Sequence, residues 1–496
     1  MTCRPAYDRL EKIFDRLGRI DQALEILEWD AETLMPPGGA SARAGQIATL
    51  KGLSHELLTA PDVRPLLDDA MGEDLDPWQR ANLDGMRRDW LHAAAVPSQL
   101  VEELSLASSH AETMWRGARA AADFAPVTGP LGEVVRLTRE LAAIKSQALG
   151  LSPYDAVLDA YEPGGSSAAI DALFDDIGAF LPDFLARVLD RQPPAPAMPA
   201  GPFPEARQRR VCERIVEVLG FDFAHGRLDV SLHPFSCGGP DDVRITTRYD
   251  ETDFLSSMMS AIHETGHALY SRGLPEMWKT QPVGRARSTS IHESQSLLME
   301  LQACRTPEFL SFAVPLIAGI LAEEGAPGWD ADALRRQVLR VKPDFIRVDA
   351  DEVTYPAHII LRYRLEKALV SGDLDVAGLP SAWNEGMEDL LGIRPPDDRL
   401  GCLQDIHWYC GLIGYFPTYT LGAMTAAQLF DAAKRSVPGL LEAIGQGDFR
   451  PLLGWLRTHV HNRGSLVGTD DLLTAATGRP LDSAVFKSHL TNRYLS

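Results

Sequence analysis

The chain has 496 residues, and 69 acidic side chains outnumber 48 lysines and arginines to give a formal charge of −21. Nucleic-acid binding rests on basic contacts to phosphate, so this balance argues against it, and it gives no support to an anionic membrane as partner. The 45% hydrophobic and 24% charged fractions are those of an ordinary globular protein with enough chain to bury a large core.

Helical periodicity dominates the first part. Leu10, Ile13, Phe14, Leu17, Ile20, Leu24, Ile26 and Leu27 recur mostly at steps of three and four, which predicts a helix over 7–29. Met35-Pro36-Pro37-Gly38-Gly39 breaks it, and further helices are expected over 41–60, 77–95, 99–122, 127–149 and 168–189. Six prolines between 191 and 204 read as a connector. They divide a single unit, 1–496, loosely into an N-terminal helical half, 1–200, and a catalytic half, 201–496. After a helix over 205–219, β-branched residues predict short strands over 227–231 and 243–249, the second an edge strand able to pair with a peptide backbone. The run 309–322 is apolar but too short to cross a bilayer, and it reads as a buried helix. Prolines 395 and 396 mark a loop.

The six cysteines, at 3, 212, 237, 304, 402 and 410, form no CxxC pair and suggest free thiols in a reducing compartment. The first residues lack the apolar core of a secretory signal, so a cytoplasmic protein is expected.

Chemistry concentrates in the second half. In His263-Glu264-Thr265-Gly266-His267 the two histidines are four apart, so on a helix they share a face and can grip one ion. Glu264, beside the first of them, can hold a water that the ion activates. The apolar stretch 254–262 before them suits a helix. His292-Glu293-Ser294-Gln295 opens a second helical run 26 residues after His267, and its carboxylate would complete a His₂Glu site with one open position, the pattern of a catalytic metal. His292 is read as a supporting neighbour of the site. Four more stretches are too polar and aromatic for simple core: His233-Pro234-Phe235 with Asp242 to Arg248; Phe345 to His358; Gly401 to Trp408; and Gly414 to Gly422.

Taken together these stretches resemble peptidase family M32, the Taq-type metallocarboxypeptidases. An HPF segment, a DxRxT strand, the HExxH helix, an HESQ segment, an IRxxADE segment and a GxxQDxHW segment occur in that order. Glu28-Trp29-Asp30 and Tyr161-Glu162-Pro163-Gly164 resemble its N-terminal and mid-chain signatures, so the likeness runs from about residue 7 to 490. The resemblance implies a mainly α-helical, zincin-like metallopeptidase with a small β-sheet by an active-site groove. It implies removal of C-terminal residues from peptides, one zinc or cobalt ion, and a homodimer. Carried over residue by residue, His263, His267 and Glu293 are ligands and Glu264 the general base. An oligoendopeptidase with the same metal chemistry is the alternative.

A carboxypeptidase must bind a free carboxylate, which suits arginine's planar fork. Arg347 is preferred, because flanking acids can orient it; Arg244 comes next, and Arg248 and Arg362 are further candidates. An oxyanion donor is also needed, and Tyr415, Tyr419, His233 and His407 are the candidates. His358 is read as structural or helix-capping.

Overall fold

A computed structural model describes residues 4–322 and 329–496. Cys3 lies outside them. The mainly helical expectation holds, and so do the individual helices. The first spans Pro5–Thr33, followed by Ala40–Leu58, Pro77–Ala94, Ser98–Ala121, Thr128–Leu149, Ser167–Arg191 and Glu205–Leu219. The apolar run 309–322 lies in the helix Pro307–Leu321, with Phe309, Leu310, Ala313 and Ile317 buried. No single helix among the described residues is long and apolar enough to cross a membrane.

Two compact units share the chain, and they interleave rather than follow a division at the proline-rich connector. The first comprises Met1–Ala93, Ala195–Val338 and Thr425–Leu481; the second comprises Ala94–Pro194, Leu339–Met424 and Asp482–Ser496.

In the first unit, Leu10, Phe14 and Leu17 of the opening helix close on Val63, Leu66, Leu67, Leu83 and Met86. Each fully buried side chain of this kind contributes roughly 1.5–3 kcal/mol. A second core forms where a three-stranded sheet meets two helices: Cys212 and Val216 from one, Leu228, Val243 and Ile245 from the sheet, and Ala261 and Ala268 from the helix Phe254–Gly273. The strands are β1 (Gly226–Val230), β2 (Ser236–Gly239) and β3 (Asp242–Thr247), in the order β1-β3-β2.

β3 pairs in parallel with β1 and antiparallel with β2. This corrects the expectation of an edge strand. β3 is central, both its edges are occupied, and it has no backbone edge to offer a peptide. β2, with two glycines and no apolar alternation, gave no strand signal in the sequence, and it is β2 that covers the second edge. Thr247 Oγ1 donates to the Ser257 carbonyl at 2.9 Å, and Ser257 Oγ donates to Gln208 Oε1 at 2.7 Å. The sheet therefore fixes the height of the helix Phe254–Gly273.

The second unit centres on the helix Tyr355–Ser371, which has almost no exposed face. His358, Arg362 and Glu366, at steps of four, are all fully buried. Buried charge needs partners. These come from the 401–416 segment, as described below.

Candidate active site

Asp253 caps the helix Phe254–Gly273, its carboxylate accepting from the Leu255 and Ser256 amides at 3.0 and 3.3 Å. Capping starts the helix where His263 and His267 fall on one face. The second helix, Thr289–Leu297, begins with Ser288 Oγ accepting from the Ile291 amide at 3.2 Å. The two helices approach closely at Gly266. A Cβ there would lie 2.4 Å from the Gln295 carbonyl oxygen and 2.5 Å from Ser296 Cα, so only glycine lets the second helix come near enough.

This approach brings Glu293 to the histidines. His267 Nε2 is 3.4 Å from Glu293 Oε2, and His263 Nε2 is 3.9 Å from Glu293 Oε1. Ligands bound about 2.0–2.1 Å from a tetrahedral ion are separated by roughly 3.3 Å. The three groups thus already stand near the spacing one ion requires, and they form the one such cluster of histidine, cysteine and carboxylate groups found among the described residues.

The far nitrogens are engaged elsewhere. His263 Nδ1 is 2.9 Å from Glu300 Oε2. His267 Nδ1 faces His292, with its carbonyl at 3.1 Å and its Nδ1 at 2.7 Å. A proton on each Nδ1 leaves both Nε2 lone pairs directed at the Glu293 side, as metal ligation requires. His292 thus contacts His267, and burial together with the neighbouring His267 pushes its pKa down to about 3.

The site is electrostatically prepared for a cation. Burial works against a charge on His263, but Glu293, Glu300 and Glu264 outweigh it and raise its pKa to about 10. Burial raises Glu293, yet His263 and His267 bring it down to about 2. Glu264 is raised, chiefly by burial.

The second unit holds another group of expected residues. Arg347 is buried, and its Nε and Nη2 donate to Asp405 Oδ1 at 3.1 and 2.8 Å. Its Nη1 donates to Tyr355 Oη at 3.2 Å. The orienting acid is therefore Asp405, not a flanking residue; Asp351 instead accepts from the Lys342, Val353 and Thr354 amides. Asp405 also accepts from Arg362 Nε at 2.7 Å, and Gln404 Oε1 accepts from the Arg347 amide and Arg362 Nη2. Burial opposes ionisation of Asp405, but the two guanidiniums hold it far below the usual carboxylate range.

Around this pair stand the aromatic candidates. Arg347 lies 5.0 Å from the Tyr419 ring centre, and Tyr415 packs edge-on against Tyr419 at 5.4 Å. His407 Nε2 is 3.4 Å from Tyr419 Oη, while burial pushes the His407 pKa down to about 4. The structure thus brings Arg347, His407, Tyr415 and Tyr419 together.

Arg244 and His233 make other contacts. Arg244 donates to Asp242 at 3.1 and 2.8 Å and covers the Trp29 ring at 4.2 Å. The His233 side chain is exposed, and the described hydrogen bonds reach only its carbonyl. Sequence reasoning passed over Glu300, Arg305, Asp405 as a clamp, and Glu366. Glu300 carried a usable signal, since it follows Glu293 by seven residues and falls on the same helical face.

Comparison with known proteins settles the family. The model of the Carboxypeptidase Taq (M32) metallopeptidases matches residues 9–494. The chain belongs to this family. It is 37% identical to the thermostable carboxypeptidase 1 of Thermus thermophilus, with 100% of this chain and 99% of that protein covered. It is 36% identical to the thermostable carboxypeptidase 1 of Pyrococcus furiosus over 97% of each. Among solved structures, Trypanosoma cruzi metallocarboxypeptidase 1 superposes with a TM-score of 0.97 at 38% identity over 100% of both chains. The M32 protein described here is accordingly a metal-dependent carboxypeptidase, a peptide hydrolase, and the oligoendopeptidase alternative is not favoured.

Proposed function

We propose that the enzyme releases single residues from peptide C-termini, using one divalent ion, zinc first and cobalt second, held by His263, His267 and Glu293. The observation carrying this reading is the convergence of two imidazole Nε2 atoms on one carboxylate, at 3.4 and 3.9 Å. An ion so held polarises a carbonyl and lowers the pKa of water toward roughly 7.

The chain's own residues do the rest. Glu264, its carboxyl raised by burial, takes the proton from the attacking water and returns it to the leaving amine. Glu300 stands at the Nδ1 of His263 and His292 at the Nδ1 of His267, which orients each ring. Arg347 is assigned to the substrate's terminal carboxylate. Asp405 occupies its Nε–Nη2 edge, so recognition would use Nη1 together with Tyr355. Tyr419 and Tyr415, with His407 and His233, are assigned as donor candidates for the oxyanion, and Arg244 as the second candidate for the carboxylate. A homodimer and a cytoplasmic setting complete the reading, the second supported by free thiols at Cys212, Cys237, Cys304, Cys402 and Cys410.

The test is digestion of an unblocked ten-residue peptide followed by mass spectrometry. A ladder shortening from the C-terminus, abolished by chelator and restored by zinc, is expected. Internal fragments appearing first, or full activity with no metal detected, would sink the reading.

A further inference from the structure

The helix that supplies Glu293 does not remain an α-helix. From Leu298 to Ala303 it widens into a π-helical turn, closed by the Cys304 amide donating to the Met299 carbonyl at 2.9 Å. Such turns are rare and recur at functional sites. This one carries Glu300. Glu293 and Glu300 are seven residues apart, roughly 10.5 Å along an ordinary helix, yet both reach the same imidazole. Glu293 faces His263 Nε2 at 3.9 Å and Glu300 Oε2 meets His263 Nδ1 at 2.9 Å. The other Glu300 oxygen accepts from Arg305 Nη2 at 2.7 Å, and Arg305 Nη1 donates to the Val338 carbonyl at 3.1 Å.

We infer that Glu300 is a positioning residue for the metal ligand His263, clamped in turn by Arg305, and that this pair sets how tightly the ion is held. The inference rests on the reading of His263 as a ligand. Three things carry it.

The first is the tautomer. A buried carboxylate at Nδ1 keeps the proton there and raises the basicity of Nε2. The second is asymmetry. His267 has only neutral neighbours at its Nδ1, the His292 carbonyl and ring, so His263 is the ligand backed by an anion. The third is the clamp. Arg305 Nη2 donates to Glu300 Oε1 at 2.7 Å, which leaves Oε2 turned toward His263 Nδ1.

The experiment measures zinc affinity of the full chain by competition with a chromogenic chelator. Glu300→Ala is expected to raise the zinc Kd about 10- to 100-fold, the range for lost partners of ligating histidines. Glu300→Gln can still accept from Nδ1 but brings an amide against Arg305, so its Kd should fall between wild type and Glu300→Ala. The visible spectrum of the cobalt-loaded protein should change in the same order, a readout that a merely structural role would not move. If the alanine variant fails to fold, Glu300→Gln carries the test alone, with a Kd above wild type expected. An unchanged Kd in the folded Glu300 variants, with Kd raised in His263→Ala, overturns the positioning role and leaves the metal reading intact. An unchanged Kd in His263→Ala overturns the metal reading itself.

Discussion

The helices of the first unit proposed to hold the metal and the arginine cluster of the second unit both bury ionisable groups, but they assemble them differently. In the first, two of the proposed ligands come from one helix at a spacing of four, and the third comes from the helix packed against it. In the second, four polar residues from three separate stretches form one network: Arg347, Arg362, and the neighbours Gln404 and Asp405. Arg362 is fully buried, and although Asp405 favours its charge, burial brings its pKa down to about 10. The first arrangement is proposed to hold an ion between its side chains. The second pairs Asp405 with two guanidiniums, which leaves one positive charge for a substrate carboxylate to meet. One is proposed to depend on a metal and the other on side-chain partners, so the two should respond differently to mutation.

The largest expected effect is on turnover in the first unit. Glu264→Gln keeps the ligands but cannot accept a proton, so kcat should fall by about 10²–10⁴ with zinc content unchanged. Wild-type turnover in that variant would remove Glu264 from the chemistry. Glu293→Ala, by contrast, should lose zinc measurably by metal analysis, and retained stoichiometry would point to another third ligand.

Next comes the network in the second unit. Asp405→Asn leaves two buried guanidiniums facing a neutral amide. Breaking such a buried charge group costs about 3–5 kcal/mol, to be read as a lower chemical-denaturation midpoint, while zinc affinity should stay at the wild-type value. Lost zinc affinity with unchanged stability would reverse the contrast drawn here.

The smallest effect is a pH dependence. Glu366 is fully buried, accepting from Trp408 Nε1, Tyr154 Oη and the Gly414 amide at 2.9, 2.9 and 3.2 Å. Burial raises its pKa from 4.5 to about 7 despite those donors. A raised folded-state pKa means that the folded form binds the proton more tightly. The stability it contributes is full below pH 4.5 and is lost as pH rises through about 7. Glu366→Gln lacks this dependence, so its stability relative to wild type should improve by up to ~3 kcal/mol between those pH values. A constant difference across that window would place the Glu366 pKa near its ordinary value.

The contrast also explains what the sequence made legible. Helix spans, the HExxH face and the HESQ carboxylate follow from spacing along one helix or between two that pack together, and short-range periodicity exposes them. The strand β2 escaped because two glycines erase the alternation that marks a strand. β3 seemed an edge strand because nothing in its own residues reveals that both neighbours are occupied. The partner of Arg347 was sought at Asp349 and Asp351, next to it in the chain; it stands 58 residues away at Asp405. Glu300 lay within view of Glu293 by spacing, but seven residues of ordinary helix give no hint that a π-helical turn brings both carboxylates to one imidazole.

The proposal that Arg347 reads the substrate's terminal carboxylate is tested most directly by one ratio. It is kcat/KM on a peptide with a free C-terminus divided by kcat/KM on the same peptide amidated, measured for wild type and Arg347→Ala. Wild type should strongly prefer the free acid. Arg347→Ala should lose about 10- to 150-fold on the free acid, the value of roughly 1.5–3 kcal/mol for a charged hydrogen bond, and nothing on the amide, so that the ratio collapses by that factor. An equal loss on both peptides, with the ratio preserved, would contradict the account and place carboxylate recognition on another residue.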